Sequence, residues 1–160
     1  EQTGVLDNAL TLMELSNQAD QFWNLDKVRD FFFRETQGNV FELADALANQ
    51  DLKKSLSMMQ WFFSRGIKVV ELIGGLRNQF RKLLMLKLNQ GKWSKEELVK
   101  KLGMHSFYFD KTMRQSKLFT LPRLKKIYTE LYNLDRDSKM LSDREEDLFE
   151  MFILRLFFSS

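Results

Sequence analysis

Proline occurs once in the 160 residues, at Pro122, and glycine only seven times. A chain so poor in turn-forming residues cannot supply the many tight reversals of a sheet. Its apolar residues recur at spacings of three and four, the period of an amphipathic helix. The expectation is an all-α fold. With 44% hydrophobic residues and 15 Phe there is enough apolar side chain for a packed core, so disorder is not the default.

Local signals divide the chain into helices. Val5, Leu6, Ala9, Leu10 and Met13 share one face of a helix that ends near Ser16, and Asn24 can cap another from Leu25 to about Arg34. "TQGN" at 36–39 reads as a loop and a domain boundary, with Asn39 capping Val40 to Ala48. Asp51 opens a helix with Leu52, Leu56, Met59 and Phe63 on its buried side, stopped by Gly66. A long helix follows, about Lys68 to Asn89, with Val69, Leu72, Ile73, Leu76, Phe80, Leu83 and Leu84 inward. Gly74 and Gly75 lie inside it at roughly 1 kcal/mol each against Ala, which points to close packing or a bend there. "SKEE" at 94–97 is a capping box that opens a short helix ending at Gly103. The next helix runs from Ser106 to about Leu118. Thr120 caps another, with Pro122 tolerated in its first turn and Leu121, Leu124, Ile127, Leu131 and Leu134 as its stripe. A last helix, about Asp143 to Phe157, buries Leu148, Phe152, Leu156 and their neighbours.

Several chemistries lack their residues. Without cysteine there is no disulfide scaffold, Cys-ligated zinc or thiol nucleophile, and the composition fits a reducing compartment. His105 is the only histidine, which excludes a multi-His metal site; its place between two helices suits capping. "SDREED" at 142–147 reads as a helix N-terminus opposing its dipole rather than a metal site. No phosphate-cradling glycine loop is present. No apolar run approaches the ~18–20 residues that span a bilayer. An autonomous enzyme is not expected, and neither is a cofactor or metal. The chain opens at Glu1 in mid-pattern, as a piece of a longer protein would.

Two basic edges are candidates for contact. The net charge of +3 permits nucleic-acid binding without requiring it. Arg77 and Arg81 lie one turn apart on the long helix, beside Lys82. Lys111, Arg114 and Lys117 form an edge on the helix after Gly103. Leu98, Val99, Leu102, Gly103 and Met104 match the apolar skeleton of a helix-turn-helix, so a DNA-binding module centred on 96–117 is the alternative reading. Against it, Phe107, Tyr108 and Phe109 stand where a recognition helix shows small polar and basic side chains, and at least two of the three should be buried.

The order of several phrases is more specific than any one of them. Phe41-x-Leu43-x-Asp45-Ala46 precedes Asp51 with Leu56; after Gly66 come Leu72, Leu76, Gln79-Phe80-Arg81 and Leu83; a Leu102-Gly103 corner follows; Leu131, Leu134, Asp135 and Lys139 close the set. Over about 39–158 this set resembles the C-terminal region of the delta subunit of bacterial DNA polymerase III, a clamp-loader component. "LDNALTLMELSN" with "NLDKVRDFF" is similar to the end of the helical AAA+ lid that precedes it. The resemblance implies a lid remnant over 1–38 and a helical collar domain over 39–160. It implies a cytoplasmic, non-catalytic role in DNA replication, holding the clamp-opening subunit in a loader pentamer. The implied partners are the gamma/tau-type ATPase and delta-prime subunits, primed DNA in the assembled complex, and the sliding clamp through a domain preceding Glu1. By charge and position, Arg77, Arg81, Lys111, Arg114, Lys139 and the 139–144 loop would meet DNA or a partner. The aromatic runs "DFFFRE", "QWFFSRG" and "RLFFSS" depart from the family pattern and would be either core or interface.

Overall fold

A computed structural model describes residues 38–89 and 91–158, and these form seven helices with no strand among them. The two helices expected before Arg34 and the "DFFFRE" run lie outside the described residues. α1 is helical over 38–48, α2 is Leu52–Ser64, α3 Val69–Asn89, α4 Lys95–Leu102, α5 Ser106–Lys117, α6 Leu121–Met140 and α7 Glu145–Phe158. Gly38 and Asn39 are inside α1, so Asn39 is not its cap and "GN" is not a loop. Lys139 and Met140 belong to the last turn of α6, which shortens the connection to α7.

The helix ends follow local chemistry. Asp51 accepts from the Lys54 amide at 2.9 Å and caps α2. At α4 the Ser94 hydroxyl accepts from the Glu97 amide at 3.2 Å, and the Glu97 carboxylate takes the Ser94 amide at 2.8 Å. Gly103 ends that helix in the left-handed region, φ 58°. His105 caps α5, its Nδ1 accepting from the Phe107 amide. Thr120 caps α6 through the Arg123 amide, with Pro122 harmless in the first turn. Glu145, Glu146 and Asp147 open α7 with the favourable sign for its dipole.

α3 is the axis of the bundle, packed against α5, α6 and α7, while α7 also covers α2 and α6. The main core takes Val40, Leu43 and Leu47 from α1, Phe62 from α2, Leu72, Leu76 and Phe80 from α3, Ile127 and Leu131 from α6, and Phe149, Phe152 and Ile153 from α7. Phe119, between α5 and α6, stands edge-to-face on Phe80 at 5.5 Å. Where the stripes differ from expectation, the difference is a rotation. α2 buries Ser55, Met59 and Phe62, with Leu52, Leu56 and Phe63 flanking; Leu121 and Leu148 are half-buried at the edges of theirs. Gly75 is a contact point, since a Cβ there would stand 3.0 Å from Val40 Cγ2, whereas one at Gly74 would meet nothing within 4 Å.

A second, smaller cluster lies at the far end of α3. Leu86, Leu98, Leu102, Met104 and Phe109 form it, with Met85, Trp93, Val99 and Met113 around them. The α4–Gly103–α5 corner is built on this cluster.

Candidate nucleic-acid and subunit interface

The five candidate cations fall into two groups. On α3, Arg77 reaches α6, its Nη1 lying 3.7 Å from Asp135 Oδ2. Lys139, one turn after Asp135, meets the same oxygen at 2.9 Å. Two cations thus share one carboxylate that is itself only 15% exposed, which leaves this face a net positive charge. Arg81 is exposed one turn beyond Arg77. Burial, with the Arg81 charge second, lowers the pKa of the adjacent half-buried Lys82.

Gln79 points the other way, toward α5, so Lys111 and Arg114 belong to a separate surface. Lys111 Nζ sits 4.3 Å above the Phe41 ring of α1, and Arg114 is exposed. Around them, sequence reasoning missed most of a basic corner. Residues 92–117 carry seven Lys and Arg against three acids, more than the excess of the whole chain. Lys95 pairs with Asp110 at 3.0 Å across the corner, and Lys101 lies 4.6 Å over the Trp93 ring. Only helix packing brings 92–101 beside 111–117, so a linear reading had no signal for it.

The aromatic triplet corrects an expectation. Phe109 is buried, Tyr108 is half-buried, and Phe107 is 76% exposed. Two buried rings are expected only of a corner surrounded by neighbours; in fact α5 is covered on one side only, and Phe107 packs edge-to-face on Tyr108 at 5.4 Å in the open. The two other aromatic runs among the described residues pack mostly against the main core. Phe62 is fully buried and Trp61, Phe63 and Phe157 are half-buried, leaving Phe158, 72% exposed. With Met151 and Leu154 it makes an open apolar stripe along the outer side of α7, bordered by Arg155.

Residues 37–156 match the family described as the DNA polymerase III delta subunit, C-terminal domain. The chain belongs to that family. Among curated proteins, it is similar to the DNA polymerase III subunit delta of Bacillus subtilis (strain 168), 27% identical over 134 residues, 82% of this chain and 38% of that protein. Among solved structures, the Bacillus subtilis DNA clamp loader delta protein superposes with a TM-score of 0.71 at 23% identity, over 94% of this chain and 44% of that one. The chain therefore spans less than half the length of either relative. For this delta C-terminal domain the comparison agrees with the helical architecture described above. No helix among its described residues is long and apolar enough to cross a membrane.

Proposed function

We propose that this delta C-terminal domain, 39–160, is a collar module of a clamp loader, preceded over 1–38 by the end of an AAA+ lid. It acts without catalysis, in the cytoplasm, by holding a clamp-opening subunit beside gamma/tau-type ATPase and delta-prime subunits during DNA replication. The observation that carries this reading is the family match over 37–156. The α7 stripe supports it. α7 is apolar on nearly every side, as helices are that end up covered on every side. Its inner side fills the bundle, while Met151, Leu154 and Phe158 face outward and fit a subunit contact. Light scattering on a sizing column, with this chain alone and with the matching ATPase and delta-prime subunits, tests the proposal. A stable mixed complex supports it; folded partners that do not associate would remove it.

In the assembled loader the basic corner would meet primed DNA through phosphates, and Arg77, Arg81 and Lys139 a phosphate or a neighbouring subunit. Phosphate contact is favoured over sequence reading by a helix-turn-helix centred on 96–117. α5 turns Thr112, Gln115 and Ser116 inward, so the small polar side chains a recognition helix would offer to base edges are buried, while Lys111 and Arg114 stay exposed. Replacing Lys111 and Arg114 together with Gln should weaken binding of single-stranded oligonucleotides of every sequence alike. It should also flatten the salt dependence of log K by about 1.4, at about 0.7 for each phosphate no longer neutralised. Weakening confined to one duplex sequence would instead favour the helix-turn-helix.

A further inference from the structure

Three of the four buried residues of α5 are polar: Thr112, Gln115 and Ser116, with Phe109 the exception. The large apolar cluster joins α1, α2, α3, α6 and α7, and α4 and α5 contribute nothing to it. Their apolar side chains form the small cluster with the distal end of α3. The α4–α5 corner thus has its own core, and what ties it to α1 is chiefly one amide. Gln115, 2% exposed, donates from Nε2 to the Phe41 carbonyl at 3.0 Å and to Asp45 Oδ1 at 2.7 Å. Its Oε1 accepts from Gln79 Nε2 at 2.6 Å. Both amide hydrogens are used, and three helices, α1, α3 and α5, are joined at one side chain. Lys111 over the Phe41 ring and Lys87 donating to the Ser116 carbonyl at 3.4 Å lie on the same seam.

We infer that the α4–α5 corner is a separately opening unit, latched to α1 by Gln115. A polar seam parts more readily than an apolar one, because water can take over its hydrogen bonds, and the apolar group beside this latch is the Phe41 ring beneath Lys111. Closed, the latch works only in one register, since the Phe41 carbonyl and the Asp45 carboxylate lie one turn apart on α1 and must both face the amide. A rotation or slide of α1 therefore releases the corner, while a settled α1 holds it. This coupling does not depend on what the basic corner binds. Asp45 and Gln79, two of the residues that carry the family likeness, acquire a physical role here.

Hydrogen exchange measured by mass spectrometry on the 160-residue chain tests the inference, using Gln115→Leu, Asp45→Ala, Gln79→Ala and, as a calibrator, Leu131→Ala. Gln115→Leu should speed exchange across 95–117 by about 10- to 100-fold while leaving 121–140 and 145–158 within about 2-fold. Asp45→Ala should reproduce that pattern from α1, 70 residues away in sequence. Leu131→Ala, in the main core, should speed all helices together. If Gln115→Leu fails to fold, Gln79→Ala at the half-buried end of the relay should show the same pattern at smaller amplitude. A uniform increase, or no increase in 95–117, would overturn the separate unit. A corner indifferent to Asp45→Ala would overturn its link to α1.

Discussion

Gly74 and Gly75 are chemically identical neighbours with different surroundings. A methyl group at 74 enters open space, and one at 75 presses on Val40 at 3.0 Å, where a buried β-branched side chain has little room to yield. Gly74→Ala should therefore stabilise the chain by about 1 kcal/mol in urea denaturation, the ordinary helix gain. Gly75→Ala should fall clearly short of that, and equal gains would refute the contact. Lys82 gives a pH test. Its proton is held less tightly in the folded chain than in the unfolded one, because burial and then Arg81 lower its pKa from 10.5. The charged form thus costs stability below the folded pKa, and the cost fades as pH rises from there toward 10.5. Lys82→Met should add about 0.5 kcal/mol near neutral pH, a small figure because the site is half-open. The gain should shrink by about pH 10. A gain that grew with pH would mean that folding raises, rather than lowers, the Lys82 pKa.

α4 is only eight residues long, so its two ends matter more than those of its neighbours. Ser94→Ala removes one half of the capping box, and Gly103→Ala puts a Cβ into the left-handed region; each should cost about 1 kcal/mol. Circular dichroism during denaturation would report both effects, and a neutral Gly103→Ala would mean that the corner relaxes. Such ends were legible in the sequence because a cap is chemistry between residues three or four apart. Asp51, Ser94, Gly103 and Thr120 all stand where that chemistry puts them. The register of stripes was less legible. "WFF" at 61–63 and "FYF" at 107–109 offer an apolar side chain at every angle, and neighbours from distant sequence choose which goes inward: Phe62 in one case, Phe109 in the other. The latch had no sequence signal at all, since a Gln among Lys, Arg and Ser on α5 reads as surface. Of the candidate cations, the helical placement of Arg77, Arg81, Lys111 and Arg114 was readable; Lys139, expected in a loop, lies in the last turn of α6, and the Asp135 pairing required α6 to lie against α3.

At the scale of the whole molecule, α7 has two sides with different consequences. Phe152→Ala, inside, should cost about 3–5 kcal/mol. Met151→Ser with Phe158→Ser, outside, should leave stability within about 0.5 kcal/mol and, under the proposed collar role, weaken assembly with loader subunits and any self-association of the isolated chain. Sizing with light scattering at rising concentration checks this; unchanged assembly by the double variant would move the subunit contact elsewhere. The inner side carries a consequence for how the chain is made. Phe149, Phe152, Ile153 and Leu156 come from the last described helix, yet they fill the space between α2, α3 and α6. During synthesis the apolar faces of those three helices emerge before α7 can cover them. The nascent chain must keep its apolar faces from wrong partners until α7 emerges. A ribosome stalled before residue 145 would hold helices whose shared core lacks Phe149, Phe152, Ile153 and Leu156, and that intermediate is where chaperone capture or protease cleavage is expected.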